Sequence, residues 1–248
     1  MKKLILIACG LIMSTTLFAQ GIDDLVLITE NYAPLNFSKD GMVRGISVDV
    51  MVEMLKMSGS KKTRKDISLQ PWARGYKQVL ENKNTALFAM SRTEAREELF
   101  KWVGPIIPSN IVLVAKKSQG IKINSVEDIS QYNKIGVVRD DIGEQILLEL
   151  GVPKENLHRT NSGTNTAKML DKERVEMWAY GRIVALWNIK ELGFNPDDYE
   201  EVYILKESQQ YFAFHKDTEP TVIAKLQKAL DELESNGKLK NIVSTYLK

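Results

Sequence analysis

Apolar runs of strand length alternate with segments of helical period along this chain, and the alternation runs through twice. Residues 25–29 read as a strand. Residues 47–57 follow with apolar Val48, Met51, Met54 and Leu55 at helical spacing and Ser47 as N-cap. Residues 67–70 read as a strand, and Pro71 opens a helix to about Asn82, where its missing N–H does no harm. Residues 86–90 and 111–115 are buried strands, the second rich in β-branched side chains. The scheme then restarts. Ser125-Val126-Glu127-Asp128 opens a short helix as a capping box. Residues 134–139 form a strand and 141–150 a helix that Gly151 ends. Residues 164–170 are helical, 175–180 a strand, and 183–192 a helix ending at Gly193. Strands at 202–205 and 211–214 precede two closing helices, 220–234 and 238–247, parted by Asn236-Gly237.

Strands separated by helices imply an α/β fold with parallel sheets. Two such sets, with no low-complexity linker and no solenoid repeat, suggest two lobes. A chain of 248 residues can give each lobe its own core. Ligands of such sheets sit beyond the carboxyl ends of the strands. The chemistry is therefore expected just after Thr29, Gln70, Met90, Arg139 and Tyr180.

Residues 1–19 have the plan of a secretory signal peptide: Lys2 and Lys3, an apolar run to Phe18, and a cut near Ala19. The run is too short for a membrane span. Leu6-Ile7-Ala8-Cys9 also resembles a lipoprotein box, but few apolar residues precede it and many follow. Export to the periplasm is the expectation. Cys9 is the only cysteine, so cleavage removes disulfides, thiolate metal sites and cysteine nucleophiles together. The formal charge of +2 falls to zero with Lys2 and Lys3, which leaves no global pull on nucleic acid or anionic membrane. His158 and His215 have no motif around them, and the chain has neither a phosphate-cradling loop nor a Gly-x-Ser-x-Gly elbow. No cofactor and no metal are expected.

The strand ends are polar and aromatic: Glu30 to Phe37, Ser91 to Arg96, Arg139-Asp140-Asp141 and Tyr180-Gly181-Arg182. Tyr32-Ala33-Pro34 with Phe37, Gly45 with Asp49, Ser91-x-Thr93-x-x-Arg96, and Ser125 to Ile129 form a series. Ile135-Gly136-Val137, Arg174-Val175-Glu176 and Asn236-Gly237-Lys238-Leu239 continue it. In order and spacing this series resembles the bacterial extracellular solute-binding proteins of family 3. The resemblance implies a two-lobed periplasmic binding protein fold (type II) with two hinge strands, matched by 111–115 and 211–214. It divides the chain into a first lobe of residues 20–110 and 211–248 and a second of residues 111–210.

The resemblance also implies roles. Arg96 stands where relatives hold a ligand α-carboxylate, and a guanidinium forks onto that group through two charge-assisted bonds. Ser91 stands where a hydroxyl assists. A salt bridge from Arg96 to Glu97 or Glu98 is the plainer alternative. Gly181 stands where relatives place an aspartate for the α-amino group, and residues 177–190 contain no acid. Asp140-Asp141 replace a Gly-Thr pair; they either cap the following helix or hold a cation. Arg74 and Arg182 are further cleft-facing candidates. Tyr32, Trp72 and Tyr180 offer stacking faces, whereas Trp102, Trp178 and Trp187 read as core. Glu30 faces the cleft, caps a helix or pairs with a lysine.

The implied function is capture of a small polar, carboxylate-bearing, amino-acid-like ligand for an ABC-type permease, by a monomer that is not an enzyme. Two alternatives share the fold: a periplasmic cyclohexadienyl dehydratase-like enzyme, and a ligand-sensing partner of a membrane receptor. The enzyme needs a placed general acid beside the carboxylate-holding arginine.

Overall fold

The computed structural model describes residues 21–247. The leader expected at 1–19 lies outside them. The first half of the chain carries β1 (Val26–Thr29), the hairpin β2 (Phe37–Lys39) and β3 (Met42–Arg44), and α1 (Ile46–Met57). It continues through β4 (Ile67–Leu69), α2 (Trp72–Glu81), β5 (Thr85–Ser91), the single turn α3 (Glu94–Glu97) and β6 (Phe100–Pro108). Then come β7 (Ile111–Lys116), α4 (Val126–Ile129), β8 (Ile135–Val138), α5 (Ile142–Glu149), β9 (Leu157–Thr160) and α6 (Gly163–Asp171). The chain ends with β10 (Met177–Gly181), α7 (Arg182–Glu191), β11 (Tyr199–Lys206), β12 (Gln209–His215), α8 (Pro220–Ser235) and α9 (Lys238–Tyr246).

Two five-stranded sheets result, ordered β4-β1-β5-β12-β6 and β11-β7-β10-β8-β9. Their centres are apolar on both faces: every residue of β5, β8 and β10 is buried. Strands covered by helices on both sides need such continuous runs. The expectation of parallel sheets is corrected. Each sheet is mixed: four strands run one way and a single strand, β12 in the first sheet and β7 in the second, runs against them. The chain leaves the first sheet after Pro108 and returns at Gln209. Each crossing joins a strand that runs with its sheet to one that runs against it, β6 to β7 and β11 to β12. The two crossings are tied together where the Ser109 N–H donates to the Ser208 carbonyl at 2.8 Å.

The closing helices return to the first lobe. Tyr246 of α9 donates its hydroxyl to Asp49 of α1 at 2.7 Å, and Asp49 also pairs with Arg64 at 2.7 Å. Gly45, at φ 122°, gives its N–H to the same tyrosine oxygen at 3.2 Å. The Gly45–Asp49 pair of the sequence is thus a structural clip.

Of the tryptophans read as core, Trp178 is fully buried, but Trp102 and Trp187 are half-buried. Trp102 lies on edge strand β6 and packs on Tyr211 and Phe100. Trp187 meets Phe37 of the other lobe, ring centroids 6.1 Å apart. Trp102 and Trp187 each have one side left for solvent or for the opposing lobe.

Candidate functional site

The loop after β1 is locked by hydrogen bonds that leave two side chains free for the cleft. Tyr32 and Asn36 exchange backbone bonds at 2.6 and 3.1 Å. The buried Asn36 amide donates to the Glu30 carbonyl at 2.9 Å and accepts from the Ala89 N–H at 3.2 Å. The loop is thereby fixed to β5, and Glu30 and Tyr32 are held buried beside its carboxyl end.

Arg96 rises from the turn that follows β5 and is 1% exposed. One guanidinium nitrogen donates to the Ser91 carbonyl at 3.3 Å, and Nε donates to Gln145 of α5, in the other lobe, at 3.1 Å. Its centre lies 5.6 Å from the Trp72 ring and 5.2 Å from the Tyr76 ring, within cation–π range. Its last nitrogen, NH2, is buried without a partner. Glu97, the alternative partner, pairs with Arg92 instead. Thr93 occupies the N-cap position but makes no capping bond, and its buried hydroxyl is also unpartnered. Ser91 accepts from the Gln210 amide at 3.1 Å, which leaves its own proton to donate.

The opposing wall is the start of α5. Asp140 adopts φ 59°, a left-handed conformation that Asp tolerates better than most residues. That turn aims its carbonyl across the cleft, where it accepts the Trp72 indole N–H at 2.9 Å. The Asp140 carboxylate points elsewhere, to Arg159, which also pairs with the buried Glu144. Asp141 sits at the N-cap position of α5 without a side-chain capping bond, 6% exposed, and its Oδ2 has no partner. The first lobe thus contributes a buried cation and the second a buried anion, each with one polar atom unused.

Tyrosines floor the cleft. Tyr180 stacks on Trp178 at 4.7 Å and meets the Tyr32 ring edge-on at 5.2 Å. Tyr32 reaches over Gly181: a Cβ there would fall well inside contact distance of the Tyr32 hydroxyl. Between the lobes opens a pocket of about 310 Å³, walled by Glu30, Gln70 and Trp72 on one side and Asn161, Ser162 and Asn165 on the other.

Glu30, Arg96 and Asp141 are buried near one another without an ion pair between them. Burial pushes the Glu30 carboxyl well above its usual range; Asp141 adds to the shift and Arg96 opposes it. Burial raises Asp141 to about 6 against the pull of Arg96. Burial also lowers Arg96 from its ordinary value. Yet Arg96 joins none of the ion pairs found among the described residues. The shift of Asp141 has a stability consequence. A carboxyl whose folded pKa exceeds its unfolded one binds protons better when folded, so stability falls as pH rises from about 4 through about 6. Asp141→Asn should therefore melt above wild type at pH 8, with the gap closing by pH 4. A gap that is constant across that range would show Asp141 to be ordinary.

Among the residues expected from sequence, Glu30, Tyr32, Trp72, Ser91, Arg96, Asp141 and Tyr180 come together in this buried region. Three do not. Arg74 is exposed, because two positions along α2 from buried Trp72 is another helix face. Arg182 is exposed and pairs with Glu201 on β11 at 3.2 Å. Asp140 contributes its carbonyl rather than its carboxylate. Sequence reasoning did not name Gln145, Tyr76 or the Asn161-Ser162 wall. The last follows β9, whose exposed His158-Arg159 conceals a strand.

Two sheets joined by paired crossings, with unpaired charges facing each other between them, define a hinged receptor for a small solute. The chain belongs to the bacterial extracellular solute-binding proteins, family 3, whose model matches residues 25–248. It is 24% identical over 245 residues to the arginine-binding extracellular protein ArtP of Bacillus subtilis (strain 168), covering 96% of this chain and 90% of that one. Its fold matches a histidine kinase sensor domain similar to periplasmic binding proteins, at TM-score 0.77 and 17% identity over 91% of this chain and 97% of that one. It also matches a histidine-bound substrate-binding protein of an ABC uptake transporter from Streptococcus pneumoniae, at TM-score 0.74 and 19% identity, with 89% and 91% covered. Among the described residues no helix is long and apolar enough to cross a membrane.

Proposed function

We propose that this protein captures an amino-acid-like solute by its carboxylate and delivers it to an ABC-type permease, as an exported monomer whose leader ends near Ala19. The observation that carries this reading is the buried Arg96, with one guanidinium nitrogen unpartnered and no carboxylate paired to it. A buried guanidinium is costly until an anion completes it, and a carboxylate fits its planar fork. Arginine and histidine, named for two similar proteins, are the first candidates. The sensor reading uses the same cleft and differs only in the membrane partner.

One observation favours the enzyme reading as second choice. Glu30 and Asp141, both with raised pKa, stand near Arg96 as a general acid would. The two readings separate in one preparation. Mass spectrometry of the purified protein should find a bound carboxylate-bearing solute, and titration with it should shrink the radius of gyration in solution scattering as the lobes close. Prephenate and arogenate should be left unchanged. A saturated protein of unaltered radius, or turnover that disappears with Glu30→Gln, would overturn the receptor reading.

A further inference from the structure

An amine on the ligand needs an acidic acceptor, and the cleft restricts the choice. The end of β10 cannot supply one, since position 181 is glycine and the Tyr32 hydroxyl fills the space its side chain would need. Asp140 and Glu144 are engaged by Arg159. Glu30 lines the pocket from the same lobe as Arg96. Asp141 remains: 94% buried, opposite Arg96 on the other lobe, making no helix cap, and with Oδ2 unpartnered. Helix position alone would not make a site there. The unpartnered carboxylate oxygen and the unpartnered guanidinium nitrogen are two independent observations, one on each lobe, and Arg96 reaches the helix that Asp141 opens through its bond to Gln145, four residues further on.

We propose that Asp141 is the ammonium seat of this receptor, so that the ligand's carboxylate is gripped by the first lobe at Arg96 and its amine by the second lobe at Asp141. The inference rests on the reading of Arg96 given above. It assigns the ligand to molecules that carry both charges, and it makes each charge the contact that draws one lobe toward the other. Glu30 adds a second acid on the cationic side, which favours ligands bearing a further cationic or hydrogen-bond-donating group.

The test uses amino acids matched with their desamino analogues: L-arginine with δ-guanidinovalerate, L-histidine with imidazole propionate, and L-glutamine with glutaramate. Each is titrated calorimetrically into wild type, Asp141→Asn and Arg96→Met. In wild type, at least one amino acid should bind at least about 30-fold more tightly than its analogue, as expected when a buried charge contact is lost. In Asp141→Asn that preference should vanish, with affinity for the analogue kept within about twofold. Asn is isosteric and caps helices well, so the variant should fold; Asp141→Ser, also a capping residue, serves as the second variant. Arg96→Met should lose both members of each pair. An Asp141→Asn protein that still prefers the amino acid would overturn the ammonium seat, and so would a wild type that binds both members equally, while in either case Arg96 keeps its role. If wild type binds none of the six compounds, the carboxylate reading and the ammonium seat fall together.

Discussion

Arg96→Met loses about 2–5 kcal/mol of ligand binding while changing the stability of the ligand-free protein by much less. The two effects separate because the arginine is poorly compensated on its own. Its hydrogen bonds to the Ser91 carbonyl and to Gln145, made by a charged donor, contribute about 1.5–3 kcal/mol each. Against them stands the cost of keeping a guanidinium almost fully buried, visible in its lowered pKa. Methionine fills the space between the Trp72 and Tyr76 rings and removes that cost. The liganded state loses its anion anchor entirely. Arg96→Lys should restore only part of the affinity, since an ammonium cannot fork onto a carboxylate. Calorimetry on the identified solute, paired with melting curves, reads both quantities. A folded Arg96→Met protein with wild-type affinity would remove Arg96 from the site.

What sequence made legible depended on how local the cause was. Helix limits near Gly151 and Gly193 follow from caps and spacing, and the structure has them close to where they were expected. Strand direction is another matter. Periodicity shows that a strand is buried, not which way it runs, so the reversed direction of β7 and β12 was invisible. β6 was missed because Gly104-Pro105 reads as a break; at the sheet edge, where an N–H is spared, proline is tolerated. β9 was missed because a short edge strand with two exposed polar residues has too little apolar pattern to register.

The same division runs through the site. Strand ends located Glu30, Tyr32, Ser91, Arg96, Asp141 and Tyr180, because ligands of α/β sheets gather there. Which atom of each residue faces the cleft was not in the pattern. Asp140 and Asp141 are neighbours of one residue type, yet the left-handed turn at Asp140 sends its carboxylate to Arg159 and leaves that of Asp141 buried by the arginine. Trp72 looked like a stacking face. Its indole N–H also ties the two lobes together at the Asp140 carbonyl.

Gly143→Ala should cost at least the upper end of the 1–3 kcal/mol typical of overpacking, although alanine is the better helix former by about 1 kcal/mol. The helix α5 lies against β10, and Gly143 is its second residue. A Cβ there would fall well inside contact distance of the Ala179 carbonyl oxygen and its carbon. Those are backbone atoms at the middle of β10, which is bonded to β7 on one side and β8 on the other, so the sheet cannot yield. The helix must move instead, and its first turn carries what the second lobe brings to the cleft. Asp141 precedes Gly143 by two residues, Gln145 follows by two and holds Arg96, and the Asp140 carbonyl accepts from Trp72. Affinity should therefore fall together with stability, and the loss of affinity should persist at temperatures where the variant is fully folded. Glu149→Ala, at the exposed end of the same helix, should stay within about 0.5 kcal/mol of wild type. If Gly143→Ala melts at the wild-type temperature and binds with wild-type affinity, then α5 is not held against β10 as described, and the placement of Asp141 that depends on it is wrong.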